Sequence, residues 1–233
     1  MSHVSHSIYK KWFWNVYDYL GTLMLLNVLW LICALPVVTL PASTAGLFRV
    51  TGRIAAYEEV SIRDFFIGMR QSFGRMWLVC GVYGVVLGLL SVNILFYINL
   101  IASWPWTGAI LGGALIWLSA FVAVTGFYSF PLATQTDEPI RRVFRDAVYL
   151  VLDNPRASVG LLLVSGSVLF VSLATGLGIV LGGISAIGVL SSTGFREIYR
   201  RYDAKGTATE TDAGRDMEEP RNWRDLLRPW EQR

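Results

Sequence analysis

Charge is missing from most of this chain. Residues 76–136 contain no Asp, Glu, Lys or Arg, residues 157–195 contain none, and neither do residues 19–48. At 54% hydrophobic and 16% charged residues, with a mean hydropathy of +0.48, the composition lies outside the range of water-soluble domains. A run of about 20 apolar residues crosses a hydrocarbon layer of about 30 Å as a helix. The fold class is therefore all-α, a polytopic helical membrane protein.

Histidine and cysteine are also scarce. His3 and His6 sit near the start, and Cys33 and Cys80 both lie inside apolar segments. This excludes a histidine relay or metal cluster at membrane depth and gives no disulfide framework. There is no paired-cysteine motif, no His-Glu zinc motif and no phosphate-binding glycine loop, so catalytic, metal and cofactor residues are not expected. Pumps and ion-coupled transporters hold Asp, Glu, Lys or Arg inside the membrane because those groups bind or relay charge. The apolar segments here hold none. The net charge of +3 reflects basic loops beside membrane spans, and no nucleic-acid partner is expected.

Five apolar segments can be drawn, at about 20–40, 77–101, 107–130, 157–174 and 177–195. The last two divide a 39-residue uncharged block that would be about 60 Å long as one helix, twice the hydrocarbon thickness. A glycine turn at Gly176 and Gly178 folds that block into a hairpin. Residues 1–18 form an N-terminal interfacial segment, with Lys10 and Lys11 followed by Trp12, Phe13 and Trp14. Residues 19–200 form the membrane domain. Residues 201–233 form a charged tail, in which Trp223, Leu226, Leu227 and Trp230 predict a short amphipathic helix over 222–230.

Arginines cluster at 49–75, at 141–156 and after Phe195, whereas the links around Trp104, Trp106 and Gly176 carry no charge. The positive-inside rule puts the basic patches and the C-terminus in the cytoplasm of a multi-pass plasma-membrane protein. The first segment leaves two readings open. Pro36 and Pro41 each remove a backbone donor, so the segment is either a kinked full span or a re-entrant loop with both ends inside.

Ile62, Phe65, Phe66, Met69 and Phe73 share one helical face before the second segment. Ile140, Val143, Phe144, Ala147 and Val151 repeat that spacing, with Arg141 answering Arg63. The pattern reads as two units, each an interfacial helix followed by a span pair, or as two unrelated surface helices of a common kind. Asn27, Asn93, Asn99, Thr39, Tyr83 and Tyr97 are the polar groups at depth, and interhelical hydrogen bonding is their expected role. Gly84 with Gly88, Gly108 with Gly112, and Gly178 with Gly182 have the spacing of close helix contacts.

The run Leu26-Asn27-Val28-Leu29-Trp30, then Cys33, Leu35-Pro36-Val37-Val38-Thr39, Pro41 and Thr44-Ala45, resembles the N-terminal signature of the YesL-like family of integral membrane proteins, domain of unknown function 624. Phe65, Phe66 and Phe73 fit the same pattern. The resemblance implies a small bacterial multi-span protein without an established activity. It also implies an accessory role in carbohydrate uptake beside ABC-type importer subunits. Asn27, Trp30, Pro36, Thr39 and Pro41 mark the segment of interest. Phe65, Phe66, Arg141 and Phe144 mark helices expected to meet a partner. The bilayer is the one partner the composition itself requires. The alternative function is a permease-like subunit moving a sugar or another neutral solute.

Overall fold

Proline and short polar side chains decide where the helices start and stop. In the computed structural model, residues 2–100, 104–176, 178 and 182–206 are described. Among them every regular element is helical: α1 (Ser2–Asp18), α2 (Leu20–Ala34), a 3-10 turn (Val37–Thr39), α3 (Leu40–Ala55), α4 (Ile62–Gln71), α5 (Phe73–Leu100), α6 (Pro105–Gln135), α7 (Ile140–Asp153), α8 (Pro155–Thr175) and α9 (Gly183–Gly206). Proline occupies the first turn of α3, α6 and α8, where its missing N–H has no helical partner to lose. Ser61 opens α4 as a capping box: its hydroxyl accepts from Arg63 N, and Asp64 accepts from Ser61 N at 2.9 Å.

Among the described residues, three helices are long and apolar enough to cross a membrane: α5 with 28 residues, α6 with 31 and α8 with 21. The five expected spans are not all of this kind. Segment 20–40 breaks at Pro36, and α2 has only 15 residues. A fourth span arises only if Ile8–Asp18 and Leu20–Ala34, bent by 83°, are taken as one. The last helix starts at Gly183, and residues 177 and 179–181 lie outside the described set. So does the helix expected at 222–230.

Two antiparallel hairpins form the frame. In α5–α6, the Tyr83 hydroxyl bonds Thr125 Oγ1 at 2.9 Å and Ser129 Oγ at 2.8 Å. Arg75 closes the open end, donating to the Glu138 carbonyl at 2.6 Å. In the second hairpin Gly183 of α9 lies against Ser172 of α8, and Gly194 against Leu161, so the two helices run in opposite directions. Tyr128 OH meets Ser158 Oγ at 2.9 Å, which aligns the end of α6 with the start of α8. The arginine-flanked ends of both hairpins thus share one side, the basic face.

Helix α3 is the core of the bundle. Twelve of its sixteen residues are buried. Gly46 lies under Phe65 of α4, where a Cβ would meet the Phe65 carbonyl at 2.6 Å, and Gly52 lies against the Gln135 side chain of α6. On α9, Gly188 faces Leu47. Helix α1 is not peripheral: Ile8, Trp14 and Asn15 are buried.

Several expected faces shift. Gly84 and Gly88 have open space beside them, so that pair makes no close helix contact among the described residues, whereas a Cβ on Gly112 would lie 3.8 Å from Tyr97 Cβ. The apolar face read on α4 divides. Phe65 is buried, while Ile62, Phe66 and Phe73 remain at least two-fifths exposed, because Asp64 and Gly68 take the inward positions against α3. On α7, Val143, Ala147 and Val151 are buried. The order of surface helix followed by a helix pair occurs twice, as α4–α5–α6 and α7–α8–α9. The chain divides into two compact units, 1–198 and 199–233; in the second, the described residues 199–206 are helical.

Candidate functional site

The signature residues converge on a proline-broken hairpin, α2–turn–α3. Pro36 cannot donate to the Ile32 carbonyl, and the chain leaves the helix there with φ −75° and ψ 117°. Broken backbone in an apolar medium needs internal partners. Thr39 supplies them: its hydroxyl lies 2.5 Å from the Cys33 carbonyl and 2.8 Å from that of Pro36, and its N–H bonds the Pro36 carbonyl at 2.9 Å. The next proline, Pro41, leaves the Val37 carbonyl to be taken by the Leu40 N–H. The Val38 carbonyl accepts from the Trp77 indole of α5 at 3.0 Å. Trp30 then ties the two arms together through Thr44 Oγ1 at 3.2 Å.

A neutral polar seam runs along α9. Asn27 Oδ1 accepts from the Ser185 N–H at 3.3 Å and from its hydroxyl at 3.4 Å. Ser192 Oγ lies 3.2 Å from Thr51 Oγ1 and accepts from Gln135 Nε2 at 3.4 Å. Pro131, inside α6, frees the Phe127 carbonyl one turn earlier, and the Ser191 hydroxyl donates to it. Asn27, Ser129, Ser185, Ser191 and Ser192 are all buried, so each of these bonds sits where water is excluded.

At the basic face α3 ends in an ion cluster. Tyr57 adopts a left-handed φ of 57°, with Glu58 N–H returning to the Arg53 carbonyl at 3.0 Å, a Schellman closure with tyrosine in the place glycine favours. That turn sets Glu58 beside Arg53 Nε at 3.1 Å, while Asp64 Oδ1 sits 2.5 Å from Arg53 Nη1. Arg49 reaches Gln71 at 2.7 Å, and Lys11 pairs with Glu197 at 2.9 Å.

Asn27, Trp30, Pro36, Thr39 and Pro41 are thus brought together in one hairpin. The partner-contact residues are not. Phe65 is fully buried beneath α3 and cannot meet a partner, and the Phe144 ring packs at 5.8 Å from that of Tyr83. Phe66, 49% exposed, and Arg141 remain on the surface. The sequence reading missed Arg53, Gln135 and Ser192. A signal for Arg53 was present, because Asp64 opposes it in the next helix and Ser61 marks the cap between them. Gln135 and Ser192 gave none, as their meeting depends on helix placement.

The donors at this site are hydroxyls, amides and backbone groups, which order helices and bind neutral polar molecules but supply no nucleophile–base pair. Among the described residues, no group of three or more His, Cys, Asp or Glu could hold a metal ion. No curated protein matches the chain, and no solved structure does. Residues 23–94, from early in α2 through most of α5 and including the proline break, match the family described as "Protein of unknown function, DUF624".

Proposed function

We propose that the protein is an accessory or scaffold component of the plasma membrane, not an enzyme, working beside an ABC-type carbohydrate importer. In this reading the basic face, α4, α7 and the C-terminus lie in the cytoplasm. The observation that carries it is how the polar groups are used. Inside the bundle Asn27, Tyr83, Ser191 and Ser192 spend their hydrogen bonds on neighbouring helices, while α4 and α7 offer Phe66 and Arg141 at the surface. The importer comes from the family resemblance alone. Pull-down of the tagged chain from native membranes in mild detergent is expected to recover importer subunits, with recovery lost in Phe66→Ala/Arg141→Glu. Recovery of other proteins but no importer subunit overturns it.

A permease-like subunit is the second reading, favoured by the seam from Asn27–Ser185 to Thr51–Ser192–Gln135, whose uncharged donors suit a sugar or similar solute. Uptake of labelled sugar by liposomes holding this chain alone would decide for it.

A further inference from the structure

We propose that residues 8–55 enter and leave the bilayer from the basic face without crossing it, and that the tip at 35–38 is a wedge seated in the acyl chains of that leaflet.

Four contacts place the segment. Near its start, the Tyr9 hydroxyl abuts Gly160, close to the beginning of α8. Lys11 is tied to Glu197, just past the uncharged block and at the same end of the α8–α9 hairpin. In the middle, the Val38 carbonyl is held by Trp77, one turn inside α5. Near its close, Gly52 lies against Gln135, the last residue of α6. Tyr9, Val38 and Gly52 therefore all sit at the arginine-flanked ends of the frame. Helix α5 continues 23 residues beyond Trp77, about 35 Å, so a tip held by Trp77 cannot also reach the opposite surface.

Neither limb is long enough to cross by itself. Ile8–Asp18 and Leu20–Ala34 meet at 83° and would measure about 16 Å and 22 Å, against a hydrocarbon core of about 30 Å. The bend carries the chain deep, where the Leu23 backbone lies against Gly182, beside Gly183 and Ser172 at the end of the α8–α9 hairpin away from the basic face. Helix α2 brings it back to Trp77.

The tip has a surface suited to lipid. Leu35 is 81% exposed, Val37 77%, Val38 61% and Ile32 59%. Exposed residues this apolar are stable only against hydrocarbon or a protein face. The carbonyls of Cys33, Pro36 and Val38 are already bonded within the chain, which lets this irregular backbone leave water. The patch is continuous with the lipid-facing side of α5, since Phe73 and Trp77 fall one turn apart on that helix and Val38 adjoins Trp77. Its depth, one turn inside α5, is that of amphipathic segments at the headgroup–acyl boundary.

Two measurements on the full chain test this, in a Cys33→Ala/Cys80→Ala background. A membrane-impermeant maleimide is applied to intact cells and to inside-out vesicles. Lys10→Cys, with Phe13→Cys as a second reporter, is expected to label from the side that labels Glu58→Cys. Labelling from the side that modifies Trp106→Cys overturns the topology. A nitroxide on Val37→Cys is then expected to show an oxygen-to-nickel collision ratio several-fold above that on Glu58→Cys in reconstituted vesicles. An equal ratio, meaning water at the tip, overturns the wedge, as does a nitroxide shielded from both collision partners by protein.

Discussion

Replacing Thr39 by valine keeps the shape of the side chain and removes one hydroxyl. That hydroxyl is the side-chain donor to the Cys33 carbonyl, at 2.5 Å, and a second donor to Pro36 O, which keeps the Thr39 N–H. The loss therefore concerns one carbonyl. Leaving a buried acceptor unpaired costs about 1–3 kcal/mol. Interhelical hydrogen bonds in membranes average about 0.6 kcal/mol and reach about 1.7, because the unfolded chain finds other partners. Thr39 is only partly buried, but lipid around the tip keeps water from rescuing the carbonyl. The two considerations meet at about 1 kcal/mol, a five-fold shift in the unfolding equilibrium. The assay is reversible SDS-driven unfolding in bicelles, followed by tryptophan fluorescence. Thr39→Ser, which keeps the donor, should retain most of the stability. Should Thr39→Val and Thr39→Ser unfold at the same SDS fraction, the hydroxyl does not hold the break, and the account of the tip fails.

Gly46→Ala should cost about 2 kcal/mol, the usual range of overpacking, since its Cβ would meet backbone at Phe65. Gly84→Ala has open space beside it and should raise the unfolding midpoint by up to about 1 kcal/mol through helix propensity; a loss in lipid vesicles but not in detergent would reveal a second helix seated there. Asp64→Ala removes both the α4 cap and the Arg53 pair, and thermal unfolding should register about 2 kcal/mol. Ser191→Ala strands the Phe127 carbonyl freed by Pro131 and should cost about 1 kcal/mol in the same SDS titration; an unchanged midpoint would mean α6 repairs the break by itself.

The sequence made some of this legible and concealed the rest for physical reasons. Uncharged length reads directly as α5, α6 and α8, because a helix in lipid satisfies its own backbone whatever its neighbours do. The break at Pro36 was equally plain, since proline lacks a donor in any surroundings. Which residues of the α4 face turn to α3 was not legible, because in a membrane the outward side of a helix is also apolar and periodicity does not separate Phe65, which is buried, from Ile62 and Phe66, which are not. Gly84 and Gly88 misled in the same way. Their spacing permits a close contact but does not say that a helix lies alongside.

The chain by itself determined its solvent, its helical class, the position of the proline break and the signature that joins residues 23–94 to a family. Tertiary structure alone decided that Thr39 and Trp77 satisfy that break, that α3 is the core, and that Ser192 meets Thr51 and Gln135. Local composition fixes what a segment must satisfy. Which distant donor satisfies it, whether Trp77 from 39 residues away or Ser191 from 64, depends on how the helices pack.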